Sequence, residues 1–220
     1  MCNKSCYEFG KNQLERTDTE GKTVLEVGSR NVNGTLRKMI EELGPSSYTG
    51  VDIEEGPGVD EVCSVYDLTK RFGKNAFDLV ITTEMMEHVL DWSAAISELK
   101  NVLKPEGVLI LTTRSKGFGY HEYPADFWRF EIEDMKNIFS DMQIESLVPD
   151  SIDPGVFIKV RKPQSFVENN LNDYKLYSMV KLKRYKKINS LDILLFKINT
   201  SVVQRAKNSF GYRIGKHFKG

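Results

Sequence analysis

Short apolar runs alternate with segments of helical periodicity along most of this chain. Five runs have the length of a buried strand: residues 23–27, 48–53, 61–65, 77–82 and 108–112. Parallel strands that are buried on both faces read as continuous apolar runs. The alternation therefore predicts an α/β fold with helices on both faces of a mostly parallel sheet. Two last strands, 142–148 and 155–160, are close enough along the chain to pair antiparallel.

Helical spacing is clearest in three segments, which are residues 36–43, 92–103 and 131–139. Residues 1–20 are polar and lack periodicity, which predicts an N-terminal arm that is flexible or forms a short helix. We expect the main domain to cover residues 21–162 and to end at Lys162-Pro163. Residues 163–220 then form a basic, largely helical C-terminal extension, because apolar residues from Ile188 to Val202 recur at helical spacing.

The charge of the chain is unevenly distributed, although the formal net charge is zero. Residues 161–220 hold 14 Lys and Arg against 3 Asp and Glu, so the preceding body is acidic. A solvated helical face, packed on the domain or at a dimer interface, is the first interpretation of the basic extension. Peripheral contact with an anionic membrane through residues 174–207 is the second. Nucleic-acid binding is the least favoured, because no RNA-binding motif is visible.

Cysteine and histidine are scarce, with three residues of each. The three cysteines have no repeated spacing, which argues against a disulfide framework and favours a reducing cytoplasm. The first residues have no apolar signal-peptide core, and no segment approaches the roughly 20 apolar residues of a spanning helix. The histidines and cysteines lie far apart in sequence, so we expect no metal site. The predicted location is cytoplasmic, with peripheral membrane contact left open.

The turn after the first strand carries the earliest sign of a ligand site. Gly28 permits a tight turn, and Asn33-Gly34 opens the next helix with its free N–H groups directed back at the turn. Asp52 ends the second strand, 24 positions after Gly28. A carboxylate at that position can accept hydrogen bonds from both hydroxyls of a ribose. The pattern therefore predicts a nucleoside-containing cofactor.

These residues, together with Phe77–Val89 and the Lys104–Gly107 turn, resemble the class I S-adenosylmethionine-dependent methyltransferases over about residues 20–160. The resemblance implies a Rossmann-like, doubly wound, seven-stranded sheet that is mostly parallel with an antiparallel last strand. It also implies S-adenosyl-L-methionine as the cofactor. Two positions depart from the family pattern: Arg30 replaces its second glycine, and Ser64 replaces the usual acid near adenine. The cofactor contacts that it implies are Glu26, Gly28, Ser29, Arg30, Gly34, Asp52, Ile53, Ser64, Val65, Thr83, Glu84 and His88.

The segment after the fifth strand, residues 114–130, is long and rich in aromatic residues. Loops of this length are usually functional or disordered, and the aromatic residues argue against disorder. One interpretation is an acceptor pocket lined by Tyr120, Tyr123, Phe127 and Trp128, with His121 as the general base. The other interpretation is that the aromatic residues pack the loop onto the sheet, Arg129 pairs with an acid and His121 is a structural hydrogen-bonding residue. The segment resembles a stretch of uncharacterised methyltransferases tied to glycan or lipid pathways.

Two other functions remain open at this point. An NAD-dependent oxidoreductase needs Gly-x-Gly-x-x-Gly after the first strand, and Arg30 and Asn33 break that pattern. A non-catalytic domain would bind S-adenosylmethionine, or only keep the fold, and act through its basic extension. We expect a methyltransferase with a small-molecule, sugar or lipid-linked acceptor. No motif specifies the acceptor atom or the oligomeric state.

Overall fold

The computed structural model describes residues 3–121 and 125–199, and a mixed sheet is the main element of this part of the chain. The strands are β1 (Thr23–Val27), β2 (Ser47–Asp52), β3 (Glu61–Val62), β4 (Phe77–Thr83), β5 (Leu103–Arg114), β6 (Trp128–Arg129), β7 (Gln143–Pro149), β8 (Gly155–Arg161), β9 (Leu176–Ser178) and β10 (Lys183–Tyr185). The α-helices are α1 (Lys4–Gln13), α2 (Arg16–Thr19), α3 (Arg37–Glu41), α4 (Leu68–Phe72), α5 (Trp92–Val102) and α6 (Ile132–Ile138). Residues 190–199 are also helical.

Seven strands form the main sheet in the order β3-β2-β1-β4-β5-β8-β7. The strands β1 to β5 run parallel to one another, whereas β8 pairs antiparallel with β5 and with β7. The predicted Rossmann-like sheet with an antiparallel end is therefore confirmed. The chain moves outward from β1 to β3 and then returns to the other side of β1 at β4. Connections that leave β1 and β4 in opposite directions open a crevice at the carboxyl ends of these strands.

Alternate residues of the central strands belong to two separate cores. Val24 and Leu79 pack with α1 and α3 on one face, and Leu25 and Val80 pack with α5 on the other. All four side chains are fully buried. Each buried aliphatic side chain contributes about 1.5–3 kcal/mol to folding, so both faces of the sheet must stay covered. This double burial explains why these strands read as unbroken apolar runs in the sequence.

The N-terminal segment packs on the sheet through two short helices. Asn3 caps α1, and Cys6 and Phe9 of that helix lie in the core on its face of the sheet. Asp18 of α2 forms ion pairs with Lys159 at 2.8 Å and with Arg161 at 3.1 Å, both on β8. Burial opposes ionisation of Asp18, but these two cations outweigh it and lower its pKa. Within the described part of the predicted arm, Lys4–Gln13 and Arg16–Thr19 are therefore helical, and Asp18 holds the second helix against β8.

The C-terminal extension begins with strands and continues into a helix. The strands β9 and β10 pair with each other, and β9 also pairs with β6 to form a second, three-stranded sheet. Leu176 and Ile188 are buried in the same core as α5, so this part of the extension packs as part of the main domain. Only residues 190–199 of the described extension are helical, in contrast to the largely helical segment that the sequence predicts.

The cations of the extension are partly neutralised by acidic neighbours. Arg184 pairs with Asp134 of α6, Lys186 pairs with Asp173, and Lys181 pairs with Asp192 at 2.6 Å. Arg184 makes its contact from β10, whereas Lys181 lies in a turn and Lys186 in a bend on either side of that strand. Residues 200–207 of the predicted membrane-contacting segment lie outside the described residues. Within the described ranges, no helix is both long and apolar enough to cross a membrane.

If the extension belongs to the domain core, Leu176→Ala lowers the free energy of unfolding by about 2–4 kcal/mol in urea titrations, because it leaves a cavity in a packed interior. Leu191→Ala is the matched control, since Leu191 is 61% exposed. That variant changes stability by no more than about 0.5 kcal/mol. Equal stability of the two variants would contradict the shared core.

Candidate functional site

A cavity of about 350 Å³ lies in the crevice at the carboxyl ends of β1, β2 and β4. Its volume is within the range of small-molecule and cofactor sites. The walls are mostly apolar, and polar groups lie at the turns that follow the strands. The lining residues are Val27, Gly28, Arg30, Val32, Asp52, Ile53, Glu54, Cys63, Ser64, Val65, Tyr66, Glu84, Met85, His88, Val89, Leu90 and Phe127.

The turn after β1 is held against β2 by backbone hydrogen bonds. The N–H groups of Gly28 and Ser29 both donate to the carbonyl of Val51, at 2.9 and 3.0 Å. Gly28 has a φ of +79°, and a Cβ there would lie 2.9 Å from Cγ of Met85. Only glycine adopts this conformation without strain and leaves room for the Met85 side chain. The sequence prediction of a tight turn at Gly28 therefore has a steric reason.

Asp52 closes the same turn from the end of β2. Its Oδ2 accepts a hydrogen bond of 3.1 Å from the backbone N–H of Arg30. The Arg30 guanidinium pairs with Glu54 and lies against Gly56, where a Cβ would be 2.9 Å from Nε. Arg30 therefore forms the rim of the cavity in the place of the family's second glycine. Oδ1 of Asp52 accepts a longer hydrogen bond of 3.4 Å from the Glu54 backbone N–H, and the residue lines the cavity. A carboxylate can accept more than these two hydrogen bonds.

Eight of the predicted cofactor contacts line the cavity: Gly28, Arg30, Asp52, Ile53, Ser64, Val65, Glu84 and His88. The other four, which are Glu26, Ser29, Gly34 and Thr83, do not line it. The sequence reasoning missed several wall residues: Val27, Val32, Glu54, Cys63, Tyr66, Met85, Val89 and Leu90. Most of these residues are next to a predicted contact in the sequence. That adjacency is the feature that could have identified them as wall residues.

Glu26 is buried behind the turn and is held by hydroxyl groups. Its carboxylate accepts hydrogen bonds from Tyr48 at 2.9 Å and from Thr35 at 3.3 Å. Burial raises the pKa of Glu26 to about 7, because its ionised form is poorly solvated there. A direct contact between Glu26 and the cofactor stays a prediction.

Glu84 follows β4 in an unusual backbone conformation, with a φ of +51°. Its buried carboxylate pairs with Arg114 and accepts a weak hydrogen bond from the Cys6 thiol at 3.4 Å. Arg114 is also paired with Asp150 at 3.2 Å. Burial and the nearby Glu87 carboxylate raise the pKa of Glu84. A non-glycine residue with positive φ is uncommon, and such strain often marks a functional site.

The far end of the cavity leads to a cluster of polar side chains. His88 lines the cavity, and its Nδ1 lies 2.6 Å from the carbonyl oxygen of Ala125. His121 lies against His88 with ring centroids 4.8 Å apart. Glu87 is fully buried, and its Oε2 accepts a hydrogen bond of 2.9 Å from Thr113. The three side chains offer ligand atoms within 4.8 Å of one another. The sequence analysis expected no metal site because the histidines lie far apart along the chain. The fold brings two of them together with Glu87.

His121 is held by the carboxylate of Asp126, which lies 3.2 Å from Nδ1 and also accepts the His121 backbone N–H at 3.0 Å. The Asp126 carboxylate raises the pKa of His121, against the opposing effect of burial. Burial would raise the pKa of Asp126, but hydrogen bonds from Arg129 and His121 lower it to about 2. Asp126 therefore stays ionised and fixes the orientation of the imidazole.

The predicted acceptor residues separate into different roles. Phe127 lines the cavity, whereas Trp128 is fully buried in the core and donates its indole N–H to the Leu90 carbonyl at 3.1 Å. The structure thus gives Trp128 a packing role and corrects its placement in the pocket wall. Tyr120 is 41% exposed and contacts the ring of Phe196 in the extension. Tyr123 lies outside the described residues.

Comparisons with known proteins agree with this geometry. A family model described as a methyltransferase domain matches residues 8–149, which is more than half of the chain. The chain is 26% identical over 154 residues to phosphoethanolamine N-methyltransferase 2 of Caenorhabditis elegans, covering 59% of this chain and 35% of that protein. It is 34% identical over 115 residues to the ubiquinone biosynthesis O-methyltransferase of Xanthomonas euvesicatoria, covering 46% of each. The chain thus spans about a third to a half of these relatives.

Solved structures show the same fold at low sequence identity. An S-adenosylmethionine-dependent methyltransferase of Mesorhizobium loti superposes with a TM-score of 0.56 at 16% identity, covering 72% of this chain and 98% of that one. The 1,6-didemethyltoxoflavin-N1-methyltransferase of Burkholderia thailandensis, solved with S-adenosylhomocysteine, gives 0.55 at 16% identity and covers 72% and 78%. The chain has the fold of the S-adenosylmethionine-dependent methyltransferases.

The geometry of the first turn gives a direct test. Gly28→Ala forces the new methyl group against Met85, so we expect the affinity for S-adenosylmethionine to fall by about tenfold or more in calorimetric titration. Gly21→Ala is the matched control, because Gly21 has a similar φ of +69° with no atom within 4 Å of the added carbon. The control carries the same backbone strain and keeps its affinity. Equal affinities of the two variants would show that the turn does not shape the site.

Proposed function

Because the chain belongs to the methyltransferase domain family, we propose that it transfers a methyl group from S-adenosylmethionine to a small-molecule, sugar or lipid-linked acceptor. One observation carries the proposal: the cavity joins the turn after β1, the carboxylate at the end of β2 and a polar cluster at its far end. The first two features suit a nucleoside, and the third suits a reacting group. Methyl transfer mainly requires alignment of donor and acceptor, which can contribute about 7–11 kcal/mol.

The cofactor is proposed to lie along the cavity with its nucleoside beside β2. Asp52 then accepts hydrogen bonds from the ribose hydroxyls, while Ser64 and Val65 lie against the adenine. Ile53 and Val89 add apolar surface to the same cavity. The methionine end extends past Gly28 toward Glu84 and His88. This direction places the sulfonium methyl near the cluster of Glu87, His88 and His121.

The acceptor is proposed to enter beside the aromatic loop, between His121 and the extension. Relatives of the chain include a phosphoethanolamine N-methyltransferase and ubiquinone biosynthesis O-methyltransferases, so both oxygen and nitrogen acceptors occur among them. The helix at 190–199 exposes Leu191, Leu194 and Leu195 to solvent, and Phe196 of this helix contacts Tyr120. An apolar surface next to the loop supports an acceptor that carries a lipid or another apolar group.

His121 is proposed as the group that takes the proton from a hydroxyl or amine acceptor. Its side chain is 30% exposed, which leaves it reachable, and Asp126 fixes its ring from the other side. The arrangement of an imidazole oriented by a carboxylate is a common form of general base. Glu87 lies behind the imidazole, with its Oε1 3.9 Å from Nε2. The alternative is that His121 is a structural hydrogen-bonding residue. The turnover of His121→Ala distinguishes the two roles.

Binding titrations test the proposed cofactor. We expect S-adenosylmethionine and S-adenosylhomocysteine to bind with micromolar affinity and NAD not to bind, because the turn lacks the glycines that a dinucleotide needs. Asp52→Ala should weaken S-adenosylmethionine by about tenfold or more, through loss of the ribose contacts. Glu42→Ala, on the surface away from the cavity, is the control. An absence of S-adenosylmethionine binding would refute the proposal.

Turnover tests the role of His121. With an acceptor found by screening hydroxyl- and amine-bearing compounds for transfer of a labelled methyl group, His121→Ala should lower kcat by about 100-fold to 10,000-fold. Its affinity for S-adenosylmethionine should stay within about twofold, because His121 does not line the cofactor cavity. Near-normal kcat would assign His121 a structural role. Failure to transfer a methyl group to any acceptor, with cofactor binding intact, would favour a non-catalytic domain.

A further inference from the structure

We propose that Glu87, His88 and His121 form a binding site for one divalent transition-metal ion. Oε1 of Glu87 lies 3.9 Å from Nε2 of His88 and 3.9 Å from Nε2 of His121. One ligand atom from each of the three side chains lies within 4.8 Å of the other two. The three residues come from two segments, the turn after β4 and the loop after β5, which the fold brings together.

Two of the three converging atoms are buried with no hydrogen-bond donor opposite them. Within the described residues, Oε1 of Glu87 and Nε2 of His88 are buried without a hydrogen-bond partner. The two side chains are only 0% and 8% exposed. An unpaired buried acceptor costs about 1–3 kcal/mol, and more when it is charged. A cation bound between these atoms would satisfy all of them at once.

Each proposed ligand is already oriented by a neighbour on its other side. Nδ1 of His88 lies 2.6 Å from the Ala125 carbonyl, which can only accept, so this nitrogen carries a proton and Nε2 presents its lone pair. Nδ1 of His121 faces the Asp126 carboxylate at 3.2 Å. Oε2 of Glu87 is held by Thr113. Hydrogen bonds of this kind orient the ligands of established metal sites and set their tautomers.

The donor set indicates the class of ion. Two imidazoles and one carboxylate on one side of an ion suit Fe²⁺, Mn²⁺, Co²⁺, Ni²⁺ or Zn²⁺, whereas Mg²⁺ and Ca²⁺ prefer oxygen donors alone. Ligand bonds of about 2.1 Å imply about 3.0–3.4 Å between neighbouring ligand atoms, so binding requires contractions of about 0.5–1.8 Å from separations of 3.9 to at most 4.8 Å. His88, one of the proposed ligands, also lines the cavity.

The metal site goes beyond the proposed methyl transfer and assigns His121 differently. With an ion bound, Nε2 of His121 is a ligand and cannot accept a proton. The ion would then bind an oxygen or nitrogen of the acceptor and favour its deprotonated form. Loss of turnover in His121→Ala is expected in both cases. The deciding measurement is therefore metal binding to the protein without cofactor or acceptor.

The test uses the full chain, freed of metal with a chelator and titrated with Co²⁺ and with Zn²⁺. We expect saturation at one equivalent, visible Co²⁺ absorption bands, and a rise in the melting temperature with Zn²⁺ but not with Mg²⁺. His121→Gln and His88→Gln should each weaken Co²⁺ binding by about 100-fold or more. His217→Gln is the matched control, because it removes the remaining histidine and leaves the proposed ligands intact.

Several results would overturn the proposal. These are an absence of stoichiometric Co²⁺ and Zn²⁺ binding, an unchanged affinity in His121→Gln, or an equal loss in His217→Gln. An unchanged far-UV circular dichroism spectrum and cooperative thermal unfolding show that each variant is folded. Co²⁺ binding to the unsubstituted protein tests the site without any variant. If S-adenosylmethionine binds but no metal ion does, the proposed function stands and the metal site is refuted. The ligand atoms of Glu87, His88 and His121 would then accept hydrogen bonds from the molecule that is methylated.

Discussion

Burial of the central strands on both faces is the constraint on which the rest of the molecule depends. Leu25 and Val80 face one core while Val24 and Leu79 face the other, so these central positions are apolar on both faces of the sheet. The polar side chains that line the cavity lie where the strands end. The reversal of chain direction between β1 and β4 separates the connections at that edge and leaves the crevice that becomes the cavity.

Much of this arrangement was accessible from the sequence. The apolar runs located the seven strands of the main sheet, and the order of Gly28, Asp52 and the segment after β4 located the cofactor side, because these features are local. The short strands of the extension were not predicted, since three-residue strands such as β9 carry too little periodicity and form only against a partner. The burial of Trp128 could not be predicted from the sequence either, because large aromatic residues occur both in pocket walls and in the core.

The cluster of Glu87, His88 and His121 could not be predicted from the sequence either. Glu87 and His88 are adjacent, but His121 is more than 30 residues away, and only the pairing of the strands brings it to within 3.9 Å of the Glu87 carboxylate. No spacing rule applies to such a set. The sequence showed an acid and a histidine shortly after β4, and this pair indicated a supporting role beside the cofactor. It did not indicate that a third side chain, from the loop after β5, lies next to them.

The pairing of β6 with β9 has a consequence for how these two segments of the chain can change. Trp128 and Arg129 in the loop after β5 pair with Ser178 and Tyr177, and Arg129 also holds Asp126, which contacts His121. The loop and the extension are therefore packed as one unit. We expect exchange of either segment alone to disrupt the register of the small sheet, so a tolerated change in one segment requires a matching change in the other, about 50 residues away along the chain.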